Sequence, residues 1–85
     1  PEDKSVAVGS APFHLAAFAK GAVSYQWRRN GEPIPGATES WCEVVPAKSG
    51  TFHYDVVAMY ADGTVALSEA AEVNVFSRGT TILLR

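Results

Sequence analysis

Apolar and polar residues alternate along most of this chain, and no stretch has the period of an amphipathic helix. A period of two places successive side chains on opposite faces of an extended strand. Turn-forming residues interrupt the alternation at intervals of about 8–12 residues, as in two-sheet proteins. The pattern therefore predicts an all-β chain of about seven antiparallel strands in a sandwich.

Glycine, proline and asparagine mark the ends of the predicted strands. These strands cover residues 5–8, 13–19, 23–29, a short edge near 33–34, 40–45, 51–60, and 64–76 with a break near 68–70. Asn30 and Gly31 predict a hairpin turn because both residues tolerate positive φ. Pro33 and Pro35 restrict their short strand to a sheet edge, since each removes a ladder donor.

The 85 residues are enough for one domain with a thin core. Hydrophobic residues make up 47% and charged residues 19%, which is a globular rather than a disordered composition. The net charge is −2 and the basic pair Arg28 and Arg29 is too small a patch for a nucleic-acid partner. We expect a domain over residues 1–76, followed by an apolar tail or extra strand over 77–85.

Cys42 is the only cysteine, so the chain forms no internal disulfide. It shares the inward row of its strand with Val44, which favours a small core residue over a reactive thiol. A lone thiol fits a reducing compartment. No stretch reaches the ~18 apolar residues of a membrane helix, and no signal-peptide pattern begins the sequence. The start at Pro1 fits a mature protein or an excised domain.

One run of the sequence resembles a known family. YQWRRNGEPIPGAT, residues 25–38, is similar to the YQW-x-x-NG-x-x-I-x-GAT run of bacterial and phage immunoglobulin-like domains. SGTFHY at 49–54 resembles that family's SGTYTV segment, and the ADG turn at 61–63 and the closing segment 71–75 are similar too. The resemblance covers residues 4–76. It implies an immunoglobulin-like β-sandwich that serves as a spacer, an adhesion module or a phage-particle appendage.

Two departures from antibody-type domains concern the core. The two cysteine positions of those domains correspond to Ala17 and Tyr54, which the resemblance places against Trp27 in the volume of the missing disulfide. The usual corner tyrosine is matched by Phe52, which has no hydroxyl, so we expect a looser corner. The expected core residues are Ala17, Trp27, Cys42, Phe52, Tyr54 and Val56.

Residues suited to catalysis are few. His53 and Asp55 lie on one face of a strand and could share a hydrogen bond, while His14 lies on another strand; no nucleophile is indicated between them. The sequence has no cluster of zinc ligands, no run of calcium-binding oxygens and no glycine-rich phosphate motif. We therefore expect no enzyme, no metal and no cofactor.

Surface contact is the more open alternative. Trp41 falls on the outward row of its strand, and aromatic residues mark the centres of interfaces. Val57 and Met59 face outward on a central strand, unless a neighbouring strand covers them. The apolar tail would form an extra strand, add to a neighbour's sheet edge, or begin a following domain. The candidate partner contacts are Trp41, Val57, Met59, Ile82, Leu83 and Leu84.

The sequence thus predicts a non-enzymatic immunoglobulin-like module with a protein partner, such as a capsid, a tail or a neighbouring subunit. The favoured setting is a bacteriophage virion assembled in the host cytoplasm, where the chain is a capsid decoration or tail accessory protein. One alternative is a repeat of a secreted or surface-anchored bacterial adhesin. Another is a carbohydrate-binding accessory domain that stacks a cell-surface glycan on Trp41. Neither nucleic acid nor membrane insertion is expected.

Overall fold

The computed structural model describes residues 2–77, which fold into β-strands without a helix. The strands are β1 (Lys4–Ala7), β2 (Phe13–Ala16), β3 (Ser24–Arg29), β4 (Glu32–Pro33), β5 (Trp41–Val44), β6 (Gly50–Met59), β7 (Val65–Leu67) and β8 (Ala71–Phe76). The predicted all-β, immunoglobulin-like class is confirmed. The division of the chain into a domain over 1–76 and a tail stays a prediction.

These strands form two sheets. The larger has the order β1-β8-β6-β3-β4, with β7 also paired to β6, and the smaller consists of β2 and β5. Pairing is antiparallel except between β1 and β8, which run parallel. The long strand β6 is central, since β3 pairs along one side and β8 and β7 share the other.

The predicted break in the last strand separates β7 from β8. Ser68 lies at this break and contacts the backbone of Val56 twice. Its N–H donates to the Val56 carbonyl at 3.0 Å, and its Oγ accepts from the Val56 N–H at 3.0 Å. The hydroxyl of Ser68 therefore satisfies a backbone donor that a continuous strand would have paired.

The turn between β3 and β4 forms as Asn30 and Gly31 predict. Their φ angles are 51° and 83°, in the left-handed region that these two residue types tolerate. The turn is also held to β6. The Asn30 N–H donates to the His53 carbonyl at 2.7 Å, and Asn30 Oδ1 accepts from the His53 N–H at 2.9 Å.

The core lies between the two sheets and is centred on Trp27, which is 0% exposed. Its indole Nε1 donates to the Glu39 carbonyl at 2.8 Å, so the ring is buried without an unsatisfied polar atom. The other members of this cluster come from both sheets. They are Leu15, Cys42, Val44, Tyr54, Val56, Val73 and Val75.

The core differs from expectation around the missing disulfide. Leu15 is the buried residue of β2, whereas Ala17 lies beyond the end of that strand and is half-buried. Tyr54 is buried but lines a different groove from Ala17. Ala17 nevertheless packs against the core cluster that contains Tyr54 and Trp27, and its pairing with Tyr54 stays a prediction. Leu15 lies opposite Cys42 in the β2–β5 register and is a buried member of the core that the sequence analysis did not include.

Phe52, at the position of the corner tyrosine, is half-buried against the core cluster. Its ring lies close to Gly50, where an added Cβ would be 3.2 Å from Phe52 Cζ. Gly50 has a φ of 146°, so a side chain there would be strained as well as crowded. The ring thus packs on the glycine backbone. The looser corner expected from the missing hydroxyl stays a prediction.

Candidate functional site

Trp41 lies at the start of β5 with 46% of its surface exposed. The alternation of β5 directs Cys42 and Val44 into the core and leaves Trp41 and Glu43 outside. The imidazole of His14, on β2, stacks on the indole with ring centroids 4.8 Å apart and planes inclined by 27°. Since Trp41 lies opposite Ala16, His14 reaches it as a diagonal cross-strand neighbour.

A groove lies beside Trp41, between β5 and the loop of residues 34–39. Its lining carries two carboxylates, those of Glu39 and Glu43, and neither lysine nor arginine. Within residues 2–77 neither carboxylate forms an ion pair. The groove therefore combines an exposed aromatic ring with uncompensated negative charge.

The edge of β5 next to this groove has no partner strand in residues 2–77, because β5 pairs there only with β2. The N–H of Ala17 donates to the Ser40 carbonyl, and hydrogen-bonded pairs alternate from there along an antiparallel ladder. By this alternation, the backbone N–H and C=O groups of Cys42 and Val44 form the hydrogen bonds with β2. The backbone N–H and C=O groups of Trp41 and Glu43 point the other way. Within residues 2–77 these groups have no backbone partner, although the Glu43 carbonyl lies 3.7 Å from Cys42 Sγ, and they can pair with another extended chain.

Val57 and Met59 lie elsewhere. They are half-buried on the outer face of the larger sheet, opposite Leu67 and Val65 of β7. Leu67 and Val65 are 59% and 63% exposed, so the four side chains form a second apolar patch. The sandwich separates this patch from Trp41, which lies on the outer face of the smaller sheet. The structure does not bring these candidate contacts together.

The remaining candidate contacts, Ile82, Leu83 and Leu84, lie outside the described residues. Their role stays a prediction.

Asp55 does not pair with His53. Arg28 Nε and Nη2 donate to Asp55 Oδ1 and Oδ2, each at 2.8 Å, from the directly opposite position on β3. His53 Nε2 lies 3.8 Å from Glu72 instead. The hydrogen bonds and the charge of Asp55 raise the pKa of Arg28, so the guanidinium stays charged. The pair joins two strands, and no histidine–carboxylate dyad forms there.

Cys42 lies in the core behind Trp41 and is 5% exposed. Burial raises the pKa of its thiol, Glu43 raises it further, and Arg29 opposes the shift. A nucleophilic cysteine requires the reverse, a lowered pKa and access to solvent. Cys42 therefore acts as a small apolar residue.

Within residues 2–77 no three histidine, cysteine, aspartate or glutamate side chains are grouped closely enough to hold a metal ion. In the same residues no helix has the length and apolar character needed to cross a membrane.

Sequence reasoning missed several members of these surfaces. It placed His14 on an outer face but did not associate it with Trp41, and it gave Glu39 and Glu43 no role. It also left out Val65 and Leu67. The outward rows of the strands were the available signal, but they become informative only once the pairing of β2 with β5 and of β6 with β7 is known.

Comparison with known proteins identifies the fold alone. No family model and no curated protein matches the sequence. Among solved structures, the chain is similar to the fibronectin(III)-like modules of Clostridium thermocellum CbhA. The TM-score is 0.68 at 21% sequence identity, and the match covers 91% of this chain and 91% of that chain. Fibronectin type III domains share the immunoglobulin-like sandwich architecture.

The fold is therefore an immunoglobulin-like β-sandwich, similar to that of a fibronectin(III)-like module. Membership of a bacterial or phage immunoglobulin-like family stays a prediction.

Proposed function

We propose that this chain is a non-enzymatic binding module that acts through the surface formed by His14, Glu39, Trp41 and Glu43, here called the β5 surface. The observation that carries this proposal is the exposed indole of Trp41, held by a stacked imidazole beside an open strand edge. Burial of a large aromatic side chain under a partner lowers the free energy of the complex. Because the stack restrains the ring beforehand, less conformational freedom is lost on binding.

A protein is the partner that uses the whole of this surface. The free N–H and C=O groups of Trp41 and Glu43 are complementary to the backbone of another extended chain. The indole supplies the apolar contact at the centre, and the carboxylates supply a polar rim.

A cell-surface glycan is the second candidate partner. The observation that favours it is the flat indole face beside Glu39 and Glu43. A sugar ring can stack its C–H face on an indole while its hydroxyl groups donate to carboxylates. This mode of binding leaves the backbone groups of β5 unused.

A bacteriophage virion remains the setting that we propose, as a capsid decoration or tail accessory protein. Its support comes from the sequence alone: a lone cysteine and an apolar C-terminal segment. The likeness to the CbhA modules bears on the fold and does not favour this setting over an adhesin repeat. Neighbouring genes for head and tail proteins would support the virion, whereas a signal peptide and adjoining repeats in the parent gene would support the adhesin.

The proposal is tested with Trp41→Ala and, as a control on the other sheet, Val65→Ala. The probes are the purified products of genes adjacent to this one and a glycan array. We expect a protein to bind the wild type and the control, and Trp41→Ala to weaken this by at least about 30-fold, the equivalent of ~2 kcal/mol at an interface centre. Protein binding that survives Trp41→Ala would contradict the proposal. Sugar binding lost in that variant would favour the second candidate.

A further inference from the structure

The chemistry of the β5 groove favours a basic, extended polypeptide. Its lining has the carboxylates of Glu39 and Glu43 and no cationic side chain. The indole of Trp41 is an attractive surface for a guanidinium or ammonium group. The free backbone groups of Trp41 and Glu43 require a partner in strand conformation.

Two other strand edges of the described residues, those of β4 and β2, discourage pairing. β4 is only two residues long and contains Pro33, which has no N–H to donate. The far side of β2 is bordered by Glu2 and Lys4, and the Lys4 ammonium lies 5.6 Å from the Phe13 ring centroid. Lysine at an edge is a common means of preventing strand addition. The edge of β5 has neither a proline nor a lysine.

A segment of this same chain has the composition that the groove favours. Residues 77–85 read SRGTTILLR. The segment 80–84 combines threonine and isoleucine, which favour strands, with two leucines. Arg78 and Arg85 lie on either side of it. The segment belongs to the part of the chain outside residues 2–77.

We propose that residues 80–84 of one copy add as a strand to the open edge of β5 in a second copy, with Arg78 and Arg85 directed at Glu39 and Glu43. The inference rests on the proposed function, because it assigns a partner to the same β5 surface. The two contact surfaces differ, so the contact is heterologous. It builds rings or open chains of subunits, and a pair that exchanges its segments is the smallest such ring.

Analytical ultracentrifugation of the full chain tests the inference. The protein concentration is varied from roughly 1 µM to 1 mM, the range over which contacts of modest affinity form and dissociate. The wild type should associate as its concentration rises. Glu39→Lys with Glu43→Lys should abolish association, and so should Arg78→Glu with Arg85→Glu. The chain that carries all four substitutions should associate again, because the charges are exchanged. Glu69→Lys with Glu72→Lys, which makes the same charge change on β8 and the connection before it, should behave as the wild type.

Three results would overturn the inference. They are a wild type that stays monomeric throughout the range, association that the groove substitutions leave intact, and a charge-exchanged chain that stays monomeric although circular dichroism shows it to be folded. A monomeric wild type that binds another protein in a Trp41-dependent way would overturn self-association alone and leave the proposed function standing. If Trp41→Ala affected no binding at all, both self-association at the β5 surface and the proposed function would be contradicted.

Discussion

The imidazole of His14 is stacked on the indole of Trp41, and this contact fixes an exposed aromatic ring at the open edge of β5. Stacked aromatic pairs contribute ~0.5–1.5 kcal/mol beyond the area that they bury. Here the contact joins two surface residues on paired strands. Its main consequence is therefore the orientation of Trp41 rather than the stability of the domain.

Substitution of His14 should lower affinity at the β5 surface more than it lowers stability. His14→Ala frees the indole, so we expect several-fold weaker binding with an unfolding free energy within about 1 kcal/mol of the wild type. His14→Phe keeps an aromatic partner for Trp41 and should restore binding. Titration calorimetry and urea unfolding of the three proteins measure both quantities. Equal affinity in His14→Ala and the wild type would show that the stack has no role in recognition.

The two tryptophans should respond in opposite ways to substitution by alanine. Trp27→Ala removes a fully buried ring and should cost ~3–5 kcal/mol, close to the ~5 kcal/mol lower limit for a folded domain. This variant should be largely unfolded. Trp41→Ala removes an exposed ring and should cost less than about 1 kcal/mol. Denaturant unfolding followed by circular dichroism compares them, and a cooperative transition in Trp27→Ala close to that of the wild type would refute its central place in the core.

Cys42 should make the domain less stable at alkaline pH. Burial raises its pKa above the ordinary thiol value of 9.0, so the unfolded chain ionises first. Above that value the unfolded state releases a proton that the folded state retains, and the unfolding free energy falls as pH rises toward the folded pKa. Cys42→Ala has no thiol to ionise and lacks this decline. Urea unfolding of both proteins from about pH 8 to about pH 10.5, an interval that spans the ordinary thiol pKa, measures the difference between their unfolding free energies. A difference that is constant with pH would show that the thiol is not buried as described.

Alternation within the sequence was sufficient to predict which way most side chains face. Cys42 and Val44 are inside, Trp41 is outside, and the break near Ser68 divides the last strand as expected. These features depend on neighbours along the chain and on a period of two. The Asn30 turn was predictable for the same reason, since its φ preference is local.

Pairing between strands was not predictable in this way. The partner of Asp55 is Arg28, 27 positions away, rather than His53, two positions away. The partner of Trp41 is His14, which lies on a strand that the sequence does not place beside β5. The burial of Leu15 opposite Cys42 was not predicted for the same reason, because register across a sheet depends on packing that no single strand specifies.

The open edge of β5 is the feature on which both proposals depend, and amide hydrogen exchange measured by NMR tests it most directly. In a dilute, monomeric sample the amides of Cys42 and Val44, bonded to β2, should exchange slowly, while those of Trp41 and Glu43 should exchange as fast as solvent-exposed amides do. Slow exchange at all four amides in that monomer would mean that the edge is already covered, and would contradict a free β5 surface.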